Sequence, residues 1–172
     1  ISHNIPEISK MVNALSKFYR LSLSKGREII SVRDELKHIQ LYLEIQNLRF
    51  DNRIHVTWDL DPSADNCQVI KIILQPIVEN AVIHGIFEKP SKSGCLSITT
   101  RRFEGGIRIT ISDDGVGMDA QTIRKNFTAS DGIVDTSGGY GVRNTNDRIK
   151  LAYGDSYGLT CSSVIGRGTT VI

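Results

Sequence analysis

The chain has 172 residues, enough for about one domain and a partial second, and 40% hydrophobic with 23% charged residues is the composition of an ordinary globular protein. Twenty-one Lys and Arg against 19 Asp and Glu leave a formal charge of +2, which argues against a nucleic-acid or anionic-membrane surface. Any anionic partner must therefore be held locally.

Cys67, Cys95 and Cys161 lie far apart with no C-x-x-C pair, so neither a disulfide framework nor a zinc knuckle is expected; they read as reduced packing residues. No run approaches the roughly 18 apolar residues of a membrane span. The chain opens at Ile1 and closes on Ile172 within an apolar run, and we expect it to be a piece of a longer protein.

In chain order, Pro6 suits a first helical turn, and Ile8, Met11, Val12, Leu15, Phe18 and Tyr19 repeat at helical spacing up to Gly26. A second helix is predicted from a cap at Ser31 and Asp34 to Arg49, so the two form a hairpin joined by a short turn. The period then changes. Ile54, Val56, Trp58 and Leu60 alternate with polar residues as a half-buried strand does, and Asp61-Pro62-Ser63 stops it. Val69–Gly85 reads as a buried helix, with Pro76 kinking it or marking its start and one break near Gln75.

Leu96, Ile98 and Thr100, the Glu104-Gly105-Gly106 turn, then Ile107, Ile109 and Ile111 predict a β-hairpin with one face on the core. Asp119–Phe127 is a short helix, Thr128–Ser137 a loop, and Gly141 opens a helix through Val142 and Ile149 that Gly154 ends. Two strands around Gly166-Arg167-Gly168 close the chain. Of 15 glycines, 12 follow residue 104, so backbone there turns sharply or approaches something closely.

Several residues in this half can carry chemistry. Asn80 and His84, four apart, share a helix face. An asparagine carbonyl is a hard oxygen ligand, and Mg²⁺ takes oxygen ligands while keeping waters and substrate phosphates, so Asn80 beside a nucleotide is half of such a site; a plain surface Asn is the alternative. In Asp113-Asp114-Gly115-Val116-Gly117 a carboxylate at a strand end can accept from an exocyclic amine while glycines admit a ring to the backbone. A calcium loop is excluded, because its twelfth position would be Arg124 rather than Glu.

Gly139-Tyr140-Gly141 before a helix offers unpaired N–H groups to a phosphate, with Arg143, Asn144 and Arg148 as further donors, against the alternative of solvated helix residues. The hydroxyl of Thr169 either backs up the carboxylate through a water or is an ordinary strand threonine. Neither G-x-x-x-x-G-K-[ST] nor G-x-G-x-x-G occurs, which removes two common nucleotide folds.

The order of these elements is more specific than any one of them. Leu74-Gln75-Pro76-Ile77-Val78-Glu79-Asn80-Ala81-Val82-Ile83-His84-Gly85, Asp113-Asp114-Gly115-Val116-Gly117-Met118, Gly139-Tyr140-Gly141-Val142-Arg143-Asn144 and Gly166-Arg167-Gly168-Thr169 together resemble the ATP-binding domain of two-component sensor histidine kinases. The likeness is to the YesM/LytS-like branch, through L-Q-P-x-x-E-N-A-x-x-H-G and the helices containing Leu15–Arg20 and Tyr42–Phe50, and it covers nearly the whole chain.

The resemblance implies a Bergerat-type α/β (α+β) two-layer sandwich: a mixed, largely antiparallel sheet, helices on one face, and ATP between the helices and a lid over Asp119–Gly138. It implies residues 1–50 as the end of a dimerisation and phosphotransfer helical region and 51–172 as the catalytic domain. Asn80 then matches the Mg²⁺ ligand, Asp113 the acceptor for the adenine amine, Gly115 and Gly117 the turn under the base with Met118 after it, Gly139 and Gly141 the phosphate-side glycines among Tyr140, Val142, Arg143 and Asn144, and Thr169 the threonine near the carboxylate.

Ile83 stands where many of these kinases carry a phosphate-side Lys, so His84 or Arg143 takes that part. Pro76 stands where related ATP hydrolases carry a water-activating Glu, which favours kinase chemistry. The P-H-F-x-x-N segment that carries the phosphorylated histidine in this branch does not occur, and His3 in Ser2-His3-Asn4 reads as a frayed terminal residue, so no catalytic acceptor is expected in the chain. The implied partners are a response regulator and, in a membrane-bound parent, a second copy through the first helix; the chain itself would be a cytoplasmic domain. An anti-sigma-type serine kinase, which would lack the Leu15–Arg20 helix, and a non-catalytic interaction module are the alternatives.

Overall fold

The computed structural model describes residues 5–23, 28–127 and 140–172. Helix α1 (Ile5–Leu23) packs on α2 (Val32–Arg49), which Ser31 caps by accepting the Asp34 N–H at 3.1 Å. The predicted apolar stripe of α1 is wider than one helix can cover. Ala14 and half-buried Phe18 face inward, whereas Ile8, Val12, Leu15, Tyr19 and Leu23 are 40–72% exposed.

The joint between the helices departs from a simple hairpin. A short strand, β1 (Ile29–Ser31), precedes α2 and pairs antiparallel with β3 (Gln68–Ile70). Val69 and Ile70 are thus strand, where the apolar run predicts helix. The reason is non-local: β1 supplies ladder partners that the sequence around Val69 does not reveal. The break at Gln75 is where expected. Helix α3 (Gln75–Glu79) begins there, with Pro76 in its first turn, and continues as a π-helix over Asn80–Ile86, closed by Phe87 N–H to Val82 carbonyl at 2.9 Å.

β2 (Ile54–Asp59), β4 (Gly94–Phe103), β5 (Gly106–Asp113), β6 (Cys161–Val164) and β7 (Gly168–Val171) form one sheet in the order β2-β4-β5-β7-β6. Only the β2–β4 pair is parallel, so the sheet is mixed and largely antiparallel. Its inner face contributes Ile54, Leu96, Ile98, Ile111 and Val171, which meet Leu36, Ile39, Leu43, Ile77, Val78, Val82 and Ile86 from α2 and the α3 segment. Two layers around one core make an α/β sandwich with an N-terminal helical hairpin. Helices α4 (Ala120–Phe127) and α5 (Tyr140–Tyr153) complete it, and Gly154 in the left-handed region (φ +95°) ends α5 as expected.

No two cysteines are bonded, but Cys95 is exposed rather than a packing residue, because its place on β4 points away from the core. No helix among the described residues is long and apolar enough to cross a membrane.

Candidate nucleotide site

The register of the sheet places Asp113, the last residue of β5, between Leu96 of β4 and Thr169 of β7. Its Oδ1 accepts the Gly115 N–H at 2.8 Å. An ionised carboxylate has about four lone-pair positions, so it keeps acceptor capacity. Burial pushes its pKa from the ordinary carboxylate range up to about 6, while the Gly115 and Thr169 amides pull the other way. The neighbouring Asp114 is used differently, since its exposed carboxylate accepts the Cys95 N–H at 2.9 Å and pairs with Lys89 at 3.1 Å. The sequence offers two adjacent carboxylates, and the fold half-buries the first while leaving the second exposed.

Gly85, Gly115 and Gly168 bring main chain against Asp113, and Gly117 brings the next turn against Val164. A Cβ on Gly115 would lie 2.3 Å from the Gly85 carbonyl carbon and 2.6 Å from Asp113 Oδ1, so only glycine lets these backbones cross; Val116 N–H then bonds Gly85 oxygen at 3.1 Å. Gly117 has φ +69°, with the Val164 carbonyl oxygen 2.1 Å from where a Cβ would stand. Gly85 and Gly168 share this crowding, and neither is legible as a site residue from spacing, because both contacts join segments distant in the chain. Ser163 is a further residue sequence reasoning misses: its hydroxyl accepts the Met118 N–H at 2.8 Å and donates to the Gly168 carbonyl at 2.9 Å. Thr169 lies opposite Asp113 through the ladder, and its hydroxyl meets that of Ser163 at 2.9 Å rather than the carboxylate.

Asn80 stands at the junction of α3 with the π-helix, half-buried, and its side chain makes no hydrogen bond among the described residues. The adjacent Glu79 accepts from Gln75 Nε2 at 2.7 Å. No cluster of three or more acidic, His or Cys side chains that would cage a metal occurs among the described residues. A single unengaged amide oxygen fits Mg²⁺, which commonly relies on substrate phosphates and waters for its remaining ligands. His84 and Ile83 are both exposed on the π-helix.

Helix α5 comes close to α3. A Cβ on Gly141 would touch Pro76 Cβ at 3.2 Å, so the start of α5 sits beside the start of the Asn80 helix. Val142 is 1% exposed, buried with its main chain against the rest of the fold; Arg143 is half-buried and Asn144 exposed in the same turn. Gly139 and most of the expected lid lie outside the described residues; the lid's first part is α4. Arg148 is not a phosphate donor. It donates to the carbonyls of Lys71 and Ile72 at 2.8 and 3.3 Å, because α5 packs across the approach to α3. An open apolar cleft of about 710 Å³ between β5 and α5, with Ile107, Ile109, Ile111, Ile149 and Leu159 in its walls, includes neither Asp113 nor Asn80.

The fold and this convergence define an ATPase-type α/β sandwich domain. The chain belongs to the histidine kinase-, DNA gyrase B-, and HSP90-like ATPase family, which it matches over residues 67–172, and residues 1–54 match the family described as histidine kinase. Sensor histidine kinase YesM of Bacillus subtilis (strain 168) is 31% identical over 168 residues, 96% of this chain and 27% of YesM. Sensor histidine kinase YpdA of Escherichia coli (strain K12) is 31% identical over 85% of this chain and 25% of its own length. The chain therefore spans about a quarter of the curated relatives it matches.

Among solved structures, a nucleotide-free catalytic domain of histidine kinase ThkA aligns with TM-score 0.63 at 14% identity, covering 83% of this chain and 92% of that one. ThkA in complex with response regulator TrrA aligns with TM-score 0.59 at 14% identity, over 95% of this chain and 47% of that chain. These agree on the fold. Domains of this family in sensor histidine kinases bind ATP.

Proposed function

We propose that the chain binds Mg-ATP at Asp113 and Asn80 and places the γ-phosphoryl group for transfer to a histidine outside these 172 residues, for relay to a response regulator. The observation that carries the reading is Asp113: a half-buried strand-end carboxylate with spare acceptor capacity, bordered by the backbones of Gly85, Gly115 and Gly168, suits a flat base with an exocyclic amine. Gly115 and Gly117 let the loop after β5 pack on Gly85 and Val164 at the edge of the base site, and Met118 follows them in the chain. Asn80 and His84 face the phosphate side from one helix. At the start of α5, Tyr140, Gly141, Arg143 and Asn144 would supply N–H groups and a cation, with Val142 in the same turn and Gly139 joining them on the strength of the family resemblance alone. Thr169 stiffens the carboxylate through the ladder.

Phosphoryl transfer needs positioning and charge neutralisation more than covalent chemistry from the protein. Asn80 would hold the Mg²⁺, which when bound neutralises charge on the β- and γ-phosphates. Residues 1–50 belong to a helical dimerisation region and 51–172 to the catalytic domain. The exposed Ile8, Val12, Leu15, Tyr19 and Leu23 stripe supports a homodimer through α1. The parent would sit in the cell membrane with this part cytoplasmic.

Titration with a fluorescent ATP analogue, with and without Mg²⁺, tests the site. Asp113→Ala should abolish binding while leaving the circular dichroism spectrum unchanged; unaltered affinity rejects the reading. Incubation with labelled ATP should leave the chain unlabelled, and rapid self-labelling would mean that a histidine within it is the acceptor.

A further inference from the structure

Glu35 is fully buried, which a glutamate tolerates only when paired. Its partners are three consecutive main-chain amides: Ile72 N–H at 2.9 Å on Oε2, and Ile73 and Leu74 N–H at 2.8 and 3.0 Å on Oε1. These precede α3, whose N-cap residue Leu74 forms no side-chain cap of its own. A carboxylate on α2 thus holds the segment that leads into α3 through the N-cap residue and the two residues before it.

From the other side, Arg148 of α5 holds the Lys71 and Ile72 carbonyls. Ile72 itself has φ +59°, a conformation that a β-branched residue adopts only when its surroundings impose it. Residues 71–74 are therefore clamped between an anion on α2 and a cation on α5. Nearer the start of α5 than Arg148, Gly141 rests on Pro76. The clamp and this contact fix α5 against the Asn80 helix at two points.

We propose that Glu35, with Arg148, is a positioning residue that sets the separation of the Asn80 helix from α5, and so lets the position of α2 govern how well the site holds a nucleotide. This rests on the nucleotide reading above. The α2 helix is joined to α1 and its exposed stripe, so a shift of the helical pair reaches the Asn80 helix through this carboxylate as well as through the core packing of Leu36, Ile39 and Leu43.

Glu35→Gln is nearly isosteric but turns an amide donor toward the backbone donors, and Glu35→Asp keeps the acceptor on a shorter arm. Hydrogen exchange of the chain without nucleotide should show Glu35→Gln raising exchange at residues 72–74 and 80–86 about tenfold, with β4 and β5 amides unmoved. Affinity for the Mg-ATP analogue should weaken about tenfold, Glu35→Asp should recover part of both effects, and Arg148→Lys should act in the same direction with less than additive loss in the double variant.

Unchanged exchange over residues 80–86, or a loss spread evenly through the sheet, overturns the proposal, since a merely structural role predicts the second. Raised exchange with unchanged affinity overturns it too; if Asp113→Ala is then equally silent, the nucleotide reading fails with it. Should Glu35→Gln not fold, Arg148→Lys decides by the same two readouts.

Discussion

Gly85 stands so close to Asp113 that a methyl group on its Cα would lie 2.8 Å from Oδ1 of the carboxylate. Gly85 lies near the end of the helix that carries Asn80, and Asp113 ends β5, so the two halves of the site meet at this contact. Gly85→Ala should displace the carboxylate and weaken nucleotide binding by about tenfold with little loss of fold, because the obstructed atom is the end of a side chain. Calorimetric titration checks this, and native affinity in the variant would mean that the carboxylate need not sit where it does.

Asp113 links the site to pH. Its folded pKa of about 6 lies above its ordinary value of 3.8, because burial disfavours the charge. The folded chain then binds the proton more tightly than the unfolded chain between those values. Stability is therefore greatest at the acid side of that window and falls as pH rises through it. Asp113→Asn should stabilise the chain by about 1–2 kcal/mol at about pH 8, a figure reduced for partial solvent exposure, and by almost nothing at about pH 4. Urea denaturation at the two pH values measures the difference.

The same titration should appear in ligand binding with the opposite trend. An amine is best accepted by the ionised carboxylate, so affinity for the ATP analogue should rise from about pH 5 to about pH 7 in the native chain. In Asp113→Asn the slope should vanish along with most of the affinity. A slope that survives the substitution would assign it to another group.

Asn80→Ala separates metal from base. Its amide has no hydrogen-bond partner to lose among the described residues, so stability should change by less than about 0.5 kcal/mol. Binding in the presence of Mg²⁺ should fall to the level seen without it. A variant that retains the full Mg²⁺-dependent increment would remove Asn80 from the metal site.

Two glycines with similar backbone angles should respond differently to alanine. Gly117 (φ +69°) faces the Val164 carbonyl at 2.1 Å, whereas Gly154 (φ +95°) has open space around it. Gly154→Ala should cost only the conformational penalty of about 1 kcal/mol, and Gly117→Ala about 3 kcal/mol or more because main chain must move. Thermal melts of both rank them.

Much of this molecule was set by local pattern. Alternation in Ile54–Leu60 and in the Leu96–Ile111 hairpin marks half-buried strands whatever lies across from them, and Pro76 and Gly154 act on the backbone next to them. Asp113, Gly115 and Gly117 are likewise adjacent in the chain, so their joint meaning is visible in the order of residues. Tertiary structure decided what local pattern leaves open. Residues 68–70 became a strand because β1 was there to pair with, Arg148 was drawn to the Lys71 and Ile72 carbonyls by the crossing of α5, and Asp113 rather than Asp114 was drawn partly out of solvent by the register of β5 against β7. Glu35 gave no sign of its role, since the amides it binds lie nearly forty residues away and become donors without partners only when the chain folds around them.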